Sequence, residues 1–105
     1  MKRQLIKYVR NEKRQPIGLI VSFVENEKIY IGWSKCSKRD VWSKELGQKI
    51  AFSRAYFHGD NPTVKCEVAY SVKSDFIKMA ERSERFFKGA VLPDSVKEII
   101  GTCLI

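Results

Sequence analysis

Little in the chain has the types and spacing that covalent chemistry needs. His58 is its one histidine, and it stands two residues from Asp60. A His–Asp pair orients an imidazole for general-base work, but a lone histidine in a polar stretch is far more often a solvated side chain. With no second histidine, a Cys–His or Ser–His nucleophile would have to use His58. Ser53, Ser71 and Ser74 lack the strand–turn–helix context of a nucleophile elbow. Cys36, Cys66 and Cys103 are three, widely spaced and without a C-x-x-C pair, so neither a zinc site nor a disulfide framework is expected. No phosphate-cradling glycine motif follows Gly18 or Gly32, and the scattered acidic residues make no Mg²⁺ cluster. The expectation is a protein that is not an enzyme and uses no cofactor or metal.

Charge is the stronger signal. The net charge is +8. In residues 1–14, Lys2, Arg3, Lys7, Arg10, Lys13 and Arg14 face only Glu12. In residues 35–54, Lys35, Lys38, Arg39, Lys44, Lys49 and Arg54 face Asp40 and Glu45. The rest of the chain nearly cancels. Such unevenness points to a polyanionic partner. Trp33 stands just before Lys35, Lys38 and Arg39. An exposed tryptophan beside cations can stack on a nucleobase while the cations hold phosphates; the weightier alternative is that Trp33 packs under the first helix. The cations of the first helix do not share one face, which argues against a groove-reading helix.

The elements that must position these residues belong to one domain, 1–105. A chain of this length buries roughly 65% of its unfolded surface, enough for one modest core. Its 44% hydrophobic content reads as globular. Its longest apolar run, residues 17–24, is broken by Gly18 and Ser22 and is too short to cross a bilayer. The basic N-terminus has no apolar stretch and cleavage site behind it, so a cytoplasmic location and no membrane partner are expected. Residues 4–10, 17–24 and 29–34 read as a three-stranded antiparallel meander joined by polar turns at 11–15 and 25–28. The nearly continuous apolar run of the second strand suits a strand covered on both faces. Ser37, with Asp40 three residues on, reads as the cap of a helix over 38–57. Its two apolar stripes, Trp42, Leu46, Ile50 and Phe57 against Val41, Phe52 and Ala55, predict a helix sandwiched between the sheet and another helix. Gly47 marks close packing or a kink. Residues 58–62 read as a loop, and the clean alternation over 63–72 as a fourth strand. Ser74 is the expected cap of a helix over 75–88 closed by Gly89, with Glu81–Arg85 and Glu84–Lys88 pairs on its wet face. A short last helix starts at Asp94 or Ser95. The fold class expected is α+β, a small antiparallel sheet packed against two longer helices and one short C-terminal helix.

The segment Gly32-Trp33-Ser34-Lys35-Cys36-Ser37-Lys38-Arg39-Asp40, followed by Lys44 to Ala51 and by Arg54-Ala55, resembles a pattern in small bacteriophage-encoded proteins. Similar proteins carry strand segments like Tyr8-Val9-Arg10 and Gly18-Leu19-Ile20-Val21, and a later segment like Glu81 to Lys88. The resemblance covers most of residues 5–88 and implies a source rather than a mechanism, with the host cytoplasm as the place of action. It is compatible with a protein that acts on nucleic acid and with one that blocks a host protein. Taken together, the sequence predicts a basic protein that binds DNA or RNA through backbone phosphates. Lys7, Arg10, Lys13, Arg14, Lys35, Lys38 and Arg39 would supply charge, and Trp33 would stack. The alternative is docking on an acidic host protein surface; a virion component is a third reading, and a homo-oligomer is compatible with all of them.

Overall fold

The structure, a computed structural model, describes residues 3–36, 41–61 and 64–103. Strands β1 (Gln4–Arg10), β2 (Pro16–Glu25) and β3 (Lys28–Lys35) pair antiparallel in the order β1-β2-β3. The register sets Val9 against Gly18 and Gly18 against Lys35, and Lys7 against Ile20 and Ile20 against Trp33. The β2–β3 turn is Asn26-Glu27, both at positive φ (51° and 64°). This is the two-residue geometry whose twist matches a hairpin.

Side chains alternate across the pleat, so central β2 serves two cores. Leu19, Val21 and Phe23 join Tyr30 under helix α1 (Lys44–Asp60), with Ala51 and Ala55. Ile20 joins Val9, Ile29 and Ile31 on the other face, under Val72, Phe76, Met79 and Ala80 of helix α2 (Tyr70–Phe86). The sheet is therefore a middle layer between two helices. Helix α3 (Asp94–Cys103) closes the α2 side through Val96. On that side Ser22 donates to the Ser83 hydroxyl at 2.5 Å, and Ser83 donates to the Met79 carbonyl at 2.7 Å. The pair keeps two buried hydroxyls satisfied.

Helix α1 touches the sheet through small residues, Gly47, Ala51, Ala55 and Gly59, one per turn. Gly47 lies against Leu19 and Ser34, Gly59 against Tyr30, and Ala51 and Ala55 against Gly32 of β3, where a Cβ would stand 1.9 Å from the Ala51 carbonyl oxygen. Backbone meets backbone there, which only glycine on the strand permits.

The α+β class, the meander and the three helices match the expectation; four features differ. Helix α1 begins after Ser43, whose hydroxyl accepts the Leu46 N–H at 3.2 Å. Residues 41–43 are not helical, and Ser37 to Asp40 lie outside the described residues. The helix also runs on through His58, Gly59 and Asp60 to its C-cap Asn61. Gly59 fits inside a helix because its missing side chain admits the Tyr30 ring. Second, α1 is not sandwiched: its buried stripe is the small one, and Leu46, Ile50 and Phe57 face solvent. Third, there is no fourth strand among the described residues. Residues 64–69 carry no ladder, and Tyr70 opens α2 four residues ahead of Ser74. The alternation of Val64, Cys66 and Val68 runs into a helical stripe that starts at Val72, and the two periods coincide over a few residues. Fourth, α2 ends at Phe86, and Gly89 takes φ +90° two residues beyond the C-cap Phe87.

Among the described residues, no helix is long and apolar enough to cross a membrane.

Candidate nucleic-acid interface

The β1–β2 connection is organised by one side chain. The Asn11 carboxamide oxygen accepts the backbone N–H groups of Lys13 at 2.9 Å and Gln15 at 3.0 Å. Its Nδ2 donates to the Gln15 side chain at 3.2 Å. The backbone adds Asn11 N–H to Gln15 carbonyl (3.0 Å) and Arg14 N–H to Asn11 carbonyl (2.9 Å). Such side-chain closure is why asparagine favours turns. It holds Arg14 at φ +62° and leaves Lys13 and Arg14 exposed at the tip. Behind them a register shift between Val9 and Arg10 re-aims the end of β1. The Arg10 guanidinium donates to the Arg14 carbonyl at 3.0 Å, so it lies along the turn. Asn11→Ala is expected to cost about 1 kcal/mol and lower the Tm by about 4–8 °C, with faster amide exchange confined to residues 12–15. Thermal unfolding and hydrogen exchange measure both.

Lys35 ends β3 at the same end of the sheet, in line with Gly18 and Val9 and about 10 Å from β1, two strand spacings away. It is exposed. Both long helices start at this end. The first turn of α1 lies beside Ser34, since Gly47 approaches the Ser34 hydroxyl and Leu19. The first turn of α2 lies over Gly18 through Val72. Their unpaired N–H groups add partial positive charge to that of Arg10, Lys13, Arg14 and Lys35. Lys44 and Lys73, in the first turns of the two helices, belong to this end; Glu12, Glu45 and, beside Lys73, Glu67 are acidic residues described there. The opposite end carries Glu25, Glu27 and Asp60 with the cation Lys28, and Asp94 beside Val91 and Leu92. Of the residues named, the cations thus outnumber the acids at the first end and the acids outnumber the cations at the other.

The other residues singled out from the sequence are placed differently. Lys7 points to the α2 face and pairs with Asp75 at 2.9 Å. Its charge is locally balanced. Trp33 also points to the α2 face, packed against that core rather than under α1. Arg54 of α1 reaches round the edge of β3, sets its guanidinium 4.0 Å from the ring centroid and donates to the Trp33 carbonyl at 2.9 Å. A base stacking on that face would have to displace Arg54. Lys38 and Arg39 lie outside the described residues.

No His–Asp dyad is assembled. His58 is half-buried in the last turn of α1, and its Nδ1 has no hydrogen-bond partner among the described residues. Asp60 instead accepts the Tyr30 hydroxyl at 2.9 Å. Burial, and then Arg54, lower the His58 pKa below the usual imidazole value. Burial raises the Cys66 thiol to about 11, which keeps it protonated and unreactive near neutrality. Among the described residues, no cluster of His, Cys, Asp and Glu is arranged to hold a metal.

Compared with protein-family models, with curated proteins and with solved structures, the chain finds no match in any of the three. The resemblance to small bacteriophage proteins stays an expectation drawn from the sequence motif alone.

Proposed function

We propose that this chain is a non-enzymatic basic protein that binds nucleic acid through backbone phosphates, at the end of the sheet formed by the 11–15 turn and Lys35. The observation that carries the reading is the convergence of Arg10, Lys13, Arg14 and Lys35 on the end where α1 and α2 present their N-termini. Phosphate oxygens suit both kinds of group, through charge and through backbone N–H donation. Among the described residues, this surface contains no ordered row of side chains along a groove-sized helix, which fits phosphate contact without base reading. Lys7 is paired and Trp33 is covered, so neither is counted here, and Lys38 and Arg39 lie outside the described residues.

Four phosphate contacts fix a number. Log K for a duplex falls against log salt with a slope of about −3.6, a loss of about 10²-fold between roughly 50 and 200 mM. For a single strand the slope is about −2.8. Fluorescence anisotropy with a labelled short duplex and a single strand of unrelated sequence measures both. A salt-independent affinity, or no binding at the lowest salt, rejects the proposal.

A further inference from the structure

Tyr70 is the first residue of α2 and is 94% exposed, more than any other large apolar side chain described. The helix sets its direction. Val72, Phe76, Met79, Ala80 and Ser83 form the stripe that α2 buries. Tyr70 lies about 160° round the helix from Val72, so its ring stands on the side away from the sheet. There it heads a hollow of about 520 Å³, lined also by Lys73, Ser74, Ile77, Lys78 and Glu81. Lys73 and Lys78 lie on the two flanks of that side, and Glu81 closes its far end. Lys65 and Glu67 stand beyond Lys73, on the wall of a neighbouring cavity.

Position separates Tyr70 from the other exposed aromatic rings described. Phe57 and Phe86 stand in the last turns of α1 and α2, and each meets a neighbouring ring edge-on, His58 and Phe87. Tyr70 stands in the first turn of α2, at the end of the sheet where Arg10, Lys13, Arg14 and Lys35 gather. Trp33, the aromatic residue that the sequence offered for stacking, is covered by Arg54.

The surroundings select the occupant. A flat ring with both faces open, beside lysines, holds a nucleobase by stacking while the cations hold phosphates. Ile77 is the one other apolar residue lining the hollow, and it is half-buried. That is too little apolar surface for the core of a stable protein interface. The bases of a duplex are stacked on one another and offer only their edges in the grooves. Those of a single strand can turn a face to the ring.

We infer, resting on the phosphate-binding proposal above, that Tyr70 stacks on a base of single-stranded nucleic acid whose phosphates lie on the cations of the same end, Lys73 among them. Single strands thereby gain a contact that duplexes lack.

Anisotropy across salt with three labelled probes tests it: a short oligothymidylate, an abasic strand of the same length, and a duplex. Tyr70→Ala is expected to weaken oligothymidylate binding about fivefold or more and to leave the abasic strand and the duplex within about twofold. The slope of log K against log salt should not change, because no charge is removed. Tyr70→Phe keeps the ring and should bind as the unaltered chain does. Tm should hardly move in either variant, since the side chain is exposed. If the probes bind with the expected salt slope but Tyr70→Ala leaves oligothymidylate unchanged, or weakens all three alike, the stacking inference falls and the phosphate-binding proposal stands. If no probe binds at the lowest salt, both fall. Self-association in sedimentation that Tyr70→Ala abolishes would assign the ring to a second copy of the chain and overturn the inference as well.

Discussion

Gly32→Ala is expected to destabilise the fold by about 3 kcal/mol or more, out of a total of about 5–15 kcal/mol for a chain of this size. A Cβ at Gly32 would stand 1.9 Å from the Ala51 carbonyl oxygen and 2.6 Å from the Ala55 nitrogen. Both are helix backbone atoms that cannot rotate away. The helix must lift from β3, and Ala51, Ala55, Leu19 and Val21 lose their packing with it. The corresponding fall in Tm is about 12–24 °C. Gly89→Ala is the contrast: nothing lies within 4 Å of its Cβ position, and only the positive φ opposes the change. It should cost about 1 kcal/mol. Denaturant titration of the two variants separates close approach from backbone conformation. Equal losses would contradict the close packing of α1 on β3.

The second large effect concerns binding. A variant carrying Arg10→Gln, Lys13→Gln, Arg14→Asn and Lys35→Gln should lose about 10²-fold or more in nucleic-acid affinity at low salt, and its log K should become nearly independent of log salt. Asparagine is chosen at position 14 because it tolerates φ +62°. All four residues are exposed, so stability should change by less than about 1 kcal/mol. Lys7→Gln serves as the internal control. Its ammonium group is already paired with Asp75, so binding should hardly move, and stability should fall by at most about 1 kcal/mol. Anisotropy titrations of the three proteins across salt, beside their unfolding curves, read all of this.

The sequence revealed most where one period ran unopposed. The meander was legible because its turns are polar and β2 is apolar at nearly every position, as a strand buried on both faces must be. It misled where two periods overlapped. Val68, Tyr70 and Val72 fit a strand as well as the approach to a helix, and the helix prevailed because Val72, Phe76, Met79 and Ala80 make a stripe with a core to fill. The orientation of α1 was hidden for another reason: its largest apolar residues are not the ones it buries. Hydrophobicity ranked Leu46 and Phe57 above Gly47 and Ala51, but the close approach of Gly32 selects small residues for the contact. For the site, clustered charge was visible along the chain, whereas its neutralisation was not. Lys7 meets Asp75 across 68 positions, and Trp33 meets Arg54 across 21; both contacts exist only once the register and the helix directions are set.

Nucleic acid is proposed to meet one end of the sheet. Amide chemical-shift mapping of the ¹⁵N-labelled protein, titrated with a short duplex at low salt, tests it most directly. Shifts are expected to concentrate in residues 10–15, 34–36, 43–46 and 70–73 and to fade as salt is added. Shifts centred on Ile50, Ser53 and Phe57 of α1 or on the acidic end, or a spectrum unmoved by saturating duplex, would overturn the proposal.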